Sequence, residues 1–524
     1  MLEIRAVRKK GWSELSSAAL AVVFAAGVCG HATVGAAESL PIPPGRVIPR
    51  VVCQNDLQQT YAIYLPSAFV SAKKWPIVYA FDPGARGSIP VELFRPAAEK
   101  YGYIVVGSNN SQNGPMGLSV AAAQAVWIDT HTRFPIDDAR VYTTGFSGGA
   151  RVALRMALML SGRVAGVIAS GGPLPEEFES PASIKFMLYG LAGTRDFNYT
   201  AMKQLNQRMA TLGVAHRFEP FEGAHQWPPP EACAAALEWM EIQALKADPR
   251  RRDETFLNAQ FNTRLKQAEA DQTAGRTYRA FHQYEEIVED FRGLIDVAPM
   301  ATKIEQLRAS REFREAAKQA EKRERKMEEQ DLQNTQKAWA LLSYLTVSAG
   351  SSQEGRDFTS RDDDDASPSL TGPSGPDTSS LGESSELERL VMALNLSGQR
   401  RKAQERKESD DGILAERQIQ RVVVGLVELS RELVNQKKYR PAVSALEIAQ
   451  QAAPDSPWVL YSLARALALS GKKSRALKAL GAAVENGFTR RESIESDHAF
   501  DALREEPAYK TLIDKIKSAS AASG

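Results

Sequence analysis

From about Arg46 to Leu245 the chain alternates short apolar runs, rich in β-branched and aromatic residues, with longer segments of helical period. Continuous apolar runs of this kind read as strands buried on both faces, and their alternation with helices is that of βαβ units. Strands are predicted over Tyr61–Leu65, Ile77–Phe81, Tyr103–Gly107, Val141–Thr144, Val164–Ser170, Lys185–Ala192 and His216–Phe221. Helices are predicted over Ser119–Thr132, Gly148–Leu160, Thr200–Leu212 and Glu231–Leu245. The expected fold class is α/β, a mostly parallel sheet with helices on both faces.

After Asp248 the strand pattern stops and helical periods take over, with few Gly or Pro. Residues 311–330 hold 13 charged side chains of both signs, the pattern of a solvated helix face. Residues 349–385 turn to Ser, Asp, Gly and Pro and include the run Asp362–Asp365. That stretch has too little apolar surface to offset the entropy of ordering, so a disordered linker is expected. Beyond it a spacing of 34 recurs: Leu426, Leu429, Leu433, Tyr439, Ala442, Leu446 and Ala449 reappear as Leu460, Leu463, Leu467, Lys473, Ala476, Leu480 and Ala483. Small residues at Ala442 and Ala476 allow two helices to approach closely. This resembles the tetratricopeptide repeat, a helical hairpin that buries its apolar face by stacking on neighbours. The second copy departs at Lys473 and lacks the closing Pro454. A weaker hairpin around Gly275, Ala280 and Tyr284 is read as the start of the same array.

The first 40 residues follow an export pattern: Arg5, Arg8, Lys9 and Lys10, then an apolar run Ala18–Val28, then small residues around Ala36 and Ala37 where cleavage is expected. The apolar run is shorter than the roughly 20 residues that span a bilayer. The expected organisation is a signal peptide at 1–37, an α/β domain at 40–247, a helical region at 250–348, the linker at 349–385 and the repeat domain at 386–524. A secreted or periplasmic location with no membrane span after cleavage follows from this reading. Removal of Cys29 with the signal leaves Cys53 and Cys233, which either pair or stay as buried thiols.

Charge narrows the partners. With 65 Lys and Arg against 64 Asp and Glu, the formal balance is +1, and basic clusters are interleaved with acids. A protein that holds nucleic acid through its phosphates needs a basic excess or face, so nucleic acid is not an expected partner.

The chemistry concentrates at Gly145-Phe146-Ser147-Gly148-Gly149, a GxSxG string between a predicted strand and a predicted helix. Glycines allow the tight turn that projects Ser147 clear of the sheet. Serine needs a base to take its proton, and the base needs an acid to fix its tautomer. Asp196 follows the predicted strand Lys185–Ala192, and His225 follows the predicted strand His216–Phe221. His31, His131, His216, His282 and His498 lie before the serine, at the wrong end of a strand, or in the helical half. Glu176, Glu177 and Glu179 follow an earlier strand and are the alternative acids. Two N–H donors are required for the developing oxyanion. Gly148 supplies one; Gly84 or Ala85 must supply the other, because Pro83 has no N–H.

These motifs make residues 40–247 similar to α/β-hydrolases of the secreted esterase group that includes polyhydroxybutyrate depolymerases and feruloyl esterases. The resemblance implies a serine hydrolase working through an acyl-enzyme, with Ser147 as nucleophile, His225 as general acid and base, and Asp196 as its orienter. It implies no metal or organic cofactor, and a small or polymeric ester as substrate. Where many such esterases have His-Gly after the strand matching Ile77–Phe81, this chain has Asp82-Pro83. Phe146, Trp227 and Asn109 are candidate substrate-binding residues, with Asn110 and Ser111 beside the last. Two rival readings stand: a peptidase of prolyl-oligopeptidase type, which shares the order of Ser, Asp and His but normally carries a propeller, and a non-catalytic scaffold acting through the repeats. A protein partner or self-association is expected of the repeat domain.

Overall fold

The apolar runs form one eight-stranded sheet: β1 (Val47–Val52), β2 (Thr60–Tyr64), β3 (Trp75–Phe81), β4 (Ile104–Ser108), β5 (Ile136–Phe146), β6 (Gly166–Ser170), β7 (Met187–Gly193) and β8 (His216–Phe221). Their order across the sheet is β1-β2-β4-β3-β5-β6-β7-β8. From β4 to β8 every pairing is parallel, and β1 and β2 close one edge in antiparallel register. The computed structural model describes residues 42–174, 184–248, 252–351 and 378–522. The expected signal segment 1–37 and the alternative acids Glu176, Glu177 and Glu179 lie outside them.

All residues of β3, β4 and β6 are buried, as a central parallel sheet requires. Side chains alternate across the sheet with period 2. Ile77, Tyr79 and Phe81 enter one core together with Ala123, Trp127, Val152 and Met202, whereas Val78 enters the other with Phe94, Leu237 and Trp239. The helices that cover the faces are α1 (Ser88–Tyr101), α2 (Met116–Arg133), α3 (Gly148–Met159), α4 (Tyr199–Thr211) and α5 (Pro230–Ala247). The last four are the predicted helices, each end within three residues of expectation. β1 has no predicted counterpart: Pro49 lacks an N–H and Arg50 is exposed, both tolerable only at a sheet edge.

The chain divides into two units, Met1–Arg323 and Glu324–Gly524. The α/β boundary expected near 247 is therefore not a division. Helices Glu254–Thr273, Thr277–Phe291 and Ala298–Ala309 build a core of Leu257, Tyr284 and Phe291 that includes Ile242 and Leu245 of α5. Buried Asp290 accepts bonds from Arg217, Arg264 and the Trp239 indole, which ties these helices to the sheet domain. The hairpin around Gly275, expected to begin the repeat array, belongs to this core instead. Its Ala280 and Tyr284 are buried in this core, where Tyr284 bonds Gln272, and a local pattern cannot foretell which core covers a stripe.

In the second unit the helices Asp410–Asn435, Tyr439–Ala452, Pro457–Leu469 and Lys473–Glu485 start and stop in step with the sequence spacing: 435 and 469 end helices, and 439 and 473 begin them. Leu433, Ala442, Leu446, Leu467, Ala476 and Leu480 share one core. Both ends of the expected linker are helical: residues 349–351 finish the helix Arg311–Ser351 and residues 378–385 open the helix Thr378–Leu394. Residues 352–377 lie outside the described residues. Among the described residues no helix is long and apolar enough to cross a membrane.

Candidate active site

The C-terminal ends of β3, β5, β6, β7 and β8 converge on one edge of the sheet. Ser147 sits between β5 and α3 with φ 55° and ψ −119°, a conformation that L-residues rarely adopt. Its N–H donates to the Ser170 carbonyl at the end of β6 (2.8 Å), which fixes the strained turn to the neighbouring strand. The flanking glycines have a steric cause: a Cβ on Gly145 would overlap the Gly149 carbonyl, and one on Gly149 would overlap that of Phe81.

His225, after β8, lies 2.9 Å through Nε2 from Ser147 Oγ. Its Nδ1 lies 2.9 Å from each carboxylate oxygen of Asp196, after β7. A carboxylate only accepts, so Nδ1 carries the proton and leaves Nε2 free to accept from the serine hydroxyl. Asp196 is fully buried, and the Asn198 N–H donates to its Oδ1 (2.8 Å). Phe146 and Phe197 bracket the imidazole at ring separations of 4.6 and 4.4 Å. Gly171, at φ +55°, leaves the space they need, since a Cβ there would lie 2.6 Å from Asp196 Oδ2. The three sequence-predicted residues therefore meet, while His131 is half-buried and stacked on Trp127, and His216, His282 and His498 point elsewhere.

The donors expected after β3 do not face Ser147. The Gly84 N–H donates to Asp82 Oδ1 (2.8 Å) and the Ala85 N–H to the Asp82 carbonyl (3.2 Å). Asp82 draws them inward because it is fully buried and needs every acceptor position filled: Arg86 donates through Nε and Nη2 (2.7 and 3.0 Å) and Trp227 through Nε1 (2.7 Å). Gly148, the first residue of α3, carries one of the N–H groups that a helix start leaves without an internal partner.

The substrate-binding expectations also change. Asn109 accepts from the Gly87 N–H and donates to the Pro49 carbonyl, Asn110 accepts from the Thr60 N–H and donates to the Gln58 carbonyl, and Ser111 is buried. Asn109 and Asn110 brace loops rather than face the site, because β1 ends and β2 begins beside them. Trp227 keeps its place near the site, 5.8 Å from Phe146, with its indole N–H held by Asp82. Asn113, two residues beyond the run singled out in sequence, is the polar side chain that reaches the serine turn: a Cβ on Gly148 would overlap its Oδ1. Its position after a strand on the catalytic edge was the available signal.

Cys53 and Cys233 are free and buried in the cores on opposite faces of the sheet, so they do not pair. Burial, reinforced by Asp129 and Asp56, pushes the Cys53 thiol up to about 12. Burial also raises Cys233 far above the usual thiol range. Among the described residues no group of three or more His, Cys, Asp or Glu is arranged to hold a metal ion.

The sheet, the strained serine turn and the three residues after β5, β7 and β8 define an α/β-hydrolase domain. Residues 114–228, which contain Ser147, Asp196 and His225, match the dienelactone hydrolase family. No curated protein matches the chain. Among solved structures it is similar to a fluorophosphonate-binding serine hydrolase of Staphylococcus aureus, at 14% identity over 38% of this chain and 98% of that one, with a TM-score of 0.31. It is similar also to an esterase of Pyrobaculum calidifontis, at 15% identity over 38% and 87%, TM-score 0.32. A third is a ferulic acid esterase, at 16% identity over 37% and 94%, TM-score 0.29.

Proposed function

We propose that the protein is an exported serine hydrolase that cleaves carboxylic esters through an acyl-enzyme, with a helical repeat module for protein interaction or self-association. The observation that carries this reading is the continuous hydrogen-bonded relay from Ser147 through His225 to buried Asp196. As Ser147 Oγ attacks the ester carbonyl carbon, its proton passes to His225 Nε2, and the carbonyl π electrons move to oxygen. Asp196 stabilises the imidazolium and holds its orientation. Collapse of the tetrahedral intermediate expels the alcohol with the proton from His225. Water, activated by the same imidazole, then releases the acid and restores Ser147.

Burial of Asp196 and the aromatic walls Phe146 and Phe197 support this role, because ion pairing with the imidazolium strengthens where water is excluded. The match to the dienelactone hydrolase family agrees with ester-bond chemistry. Export rests on the basic start, the apolar run and the small residues of the first 40 positions. The interaction role of residues 386–524 rests on the 34-residue spacing, repeated in the helix boundaries, and on Trp458, a large exposed side chain on one of those helices.

The test is hydrolysis of a short-chain p-nitrophenyl ester series by the mature chain, beside Ser147→Ala and His225→Ala. Turnover lost in both variants, with fluorophosphonate labelling confined to the parent, is the expected result. No turnover and no labelling of the parent would leave the repeat scaffold as the working reading. Turnover of peptide amides in preference to esters would favour the peptidase. Cell fractionation with detection of the processed chain tests export.

A further inference from the structure

Asp196 and Ser147 reach the same imidazole from two separate strands, so the gap between acid and nucleophile has to be fixed for His225 to make its 2.9 Å contacts to both at once. We infer that Asn198 is the positioning residue that sets this gap, its side-chain amide clamping the acid loop after β7 to the loop after β6 that backs the serine turn. The role rests on the serine-hydrolase reading and adds to it a residue that itself takes no part in the proton transfer.

Asn198 follows Asp196 by two positions and stands immediately before α4. Its backbone N–H donates to Asp196 Oδ1 (2.8 Å), and its side-chain Nδ2 donates to the Gly171 carbonyl (2.7 Å). The loop that receives this second bond carries the nucleophile turn on its other side. The Ser170 carbonyl accepts from the Ser147 N–H (2.8 Å), and a Cβ on Gly172 would overlap the Ser147 carbonyl oxygen, so the two turns lie directly against each other. Gly171 is in turn seated on β7 by its N–H, which donates to the Leu191 carbonyl (2.8 Å). One residue therefore joins the acid to residues 170–172, on which Ser147 rests.

An asparagine just before a helix ordinarily caps it, its side-chain oxygen accepting a backbone N–H of the first turn. Asn198 makes no such cap. The Tyr199 N–H bonds the Asp196 backbone carbonyl instead (2.9 Å), and the amide is turned across to Gly171. A carbonyl needs a donor, and the other good capping residues fail here: the carboxylate of Asp only accepts, and the hydroxyl of Ser is one bond too short. Besides His225 Nδ1, the Asn198 N–H is the donor that the Asp196 carboxylate receives among the described residues. A buried carboxylate so lightly held follows the backbone of its own loop, and the clamp fixes that backbone. Placement of this kind is where a small displacement converts into a large loss of rate.

The experiment uses the full chain with p-nitrophenyl acetate as substrate and a fluorophosphonate probe, comparing the parent with Asn198→Ser and Asn198→Asp, both of which can start a helix as well as asparagine does. Neither carries a donor that reaches the Gly171 carbonyl. Expected for each is a kcat lower by about 10- to 10²-fold with KM within about threefold, and fluorophosphonate labelling slowed in proportion. On an Asp196→Ala background, where no acid is left to place, Asn198→Ser should change the residual turnover by less than about twofold. A helix-capping role predicts instead that both variants keep the parental kcat. Should Asn198→Ser lose its thermal unfolding transition, the nearly isosteric Asp variant decides. Retention of more than a third of the parental kcat in either folded variant overturns the inference, as does a fully additive loss on the Asp196→Ala background. An inactive, unlabelled parent overturns the serine-hydrolase reading itself, whereas an active parent with active Asn198 variants removes only this clamp.

Discussion

Trp227 and Asp82 lie 145 positions apart in sequence and are joined by a 2.7 Å hydrogen bond from the indole N–H to the buried carboxylate. The bond ties the loop after β3 to the segment that follows His225. Asp82 therefore organises both walls of the catalytic edge, although it is not a member of the relay.

Trp227→Phe removes one of the four donors to Asp82 and leaves the carboxylate with Gly84 and Arg86. It should cost about 1 kcal/mol of stability and change kcat/KM by less than about tenfold. Asp82→Asn is the harsher change: the amide accepts through one oxygen only, so a buried N–H of Arg86 or Trp227 loses its acceptor. A cost of about 1–3 kcal/mol is expected, with the larger fall in activity. Thermal unfolding and ester kinetics on the two variants check the ranking, and equal effects would contradict it.

Gly171→Ala combines two penalties. The residue has φ +55°, where alanine is strained, and the new methyl would lie 2.6 Å from Asp196 Oδ2. Asp196 must withdraw from His225, so kcat should fall by more than about 10²-fold while Ser147 stays in place. Fluorophosphonate labelling should slow in parallel. An Ala variant with parental turnover would mean that Gly171 does not set the position of the acid.

His131 gives the fold an acid sensitivity remote from the relay. Burial holds its imidazole below the ordinary histidine range, against the opposing effect of its bond to the Trp127 carbonyl and of Asp138. On acidification the unfolded chain takes up a proton at His131 near the usual value of about 6.5, and the native chain does so only at lower pH. The unfolded state then binds more protons, so this contribution to stability is present above about pH 6.5 and is lost as pH falls below it. Urea unfolding at pH 7.5 and 5.5 should show a smaller difference for His131→Phe, which keeps an aromatic ring beside Trp127, than for the parent.

Asp290→Asn should destabilise the first unit by about 3–5 kcal/mol, because Arg217 and Arg264 would be left around a buried neutral group. The helices 254–309 and the sheet domain should still unfold in one transition. A separate early transition would show that the shared core with Ile242 and Leu245 does not bind them together.

The relay was legible because each of its three members follows a strand: β5 and β7 end in buried apolar runs, and β8, at the sheet edge, is marked by Phe218 and Phe221 among polar residues. The orientation of the loop after β3 was not legible. A backbone N–H after β3 is a sound inference from position, but Asp82 competes for it, and its burial is a property of the assembled fold. Asn109 was named and Asn113 passed over for a related reason. Which residues of one loop face the nucleophile depends on where β1 and β2 end, and β1, with Pro49 and an exposed Arg50, carries no strand signal. The hairpin at Gly275 misled because an Ala and Tyr stripe shows that a helix is covered, not by what.

The place where the two units divide, inside the helix Arg311–Ser351, carries a consequence for how such a chain can be recombined. A splice made at the end of α5 would strip the hydrolase of residues on which its last helix is seated, and would expose Ile242 and Leu245. A splice near Arg323 respects the packing, because Phe313 still belongs to that core. Exchange of the repeat half between related chains can therefore be expected to carry residues 254–323 along with the catalytic half, as an inherited pedestal rather than as part of the interchangeable cargo.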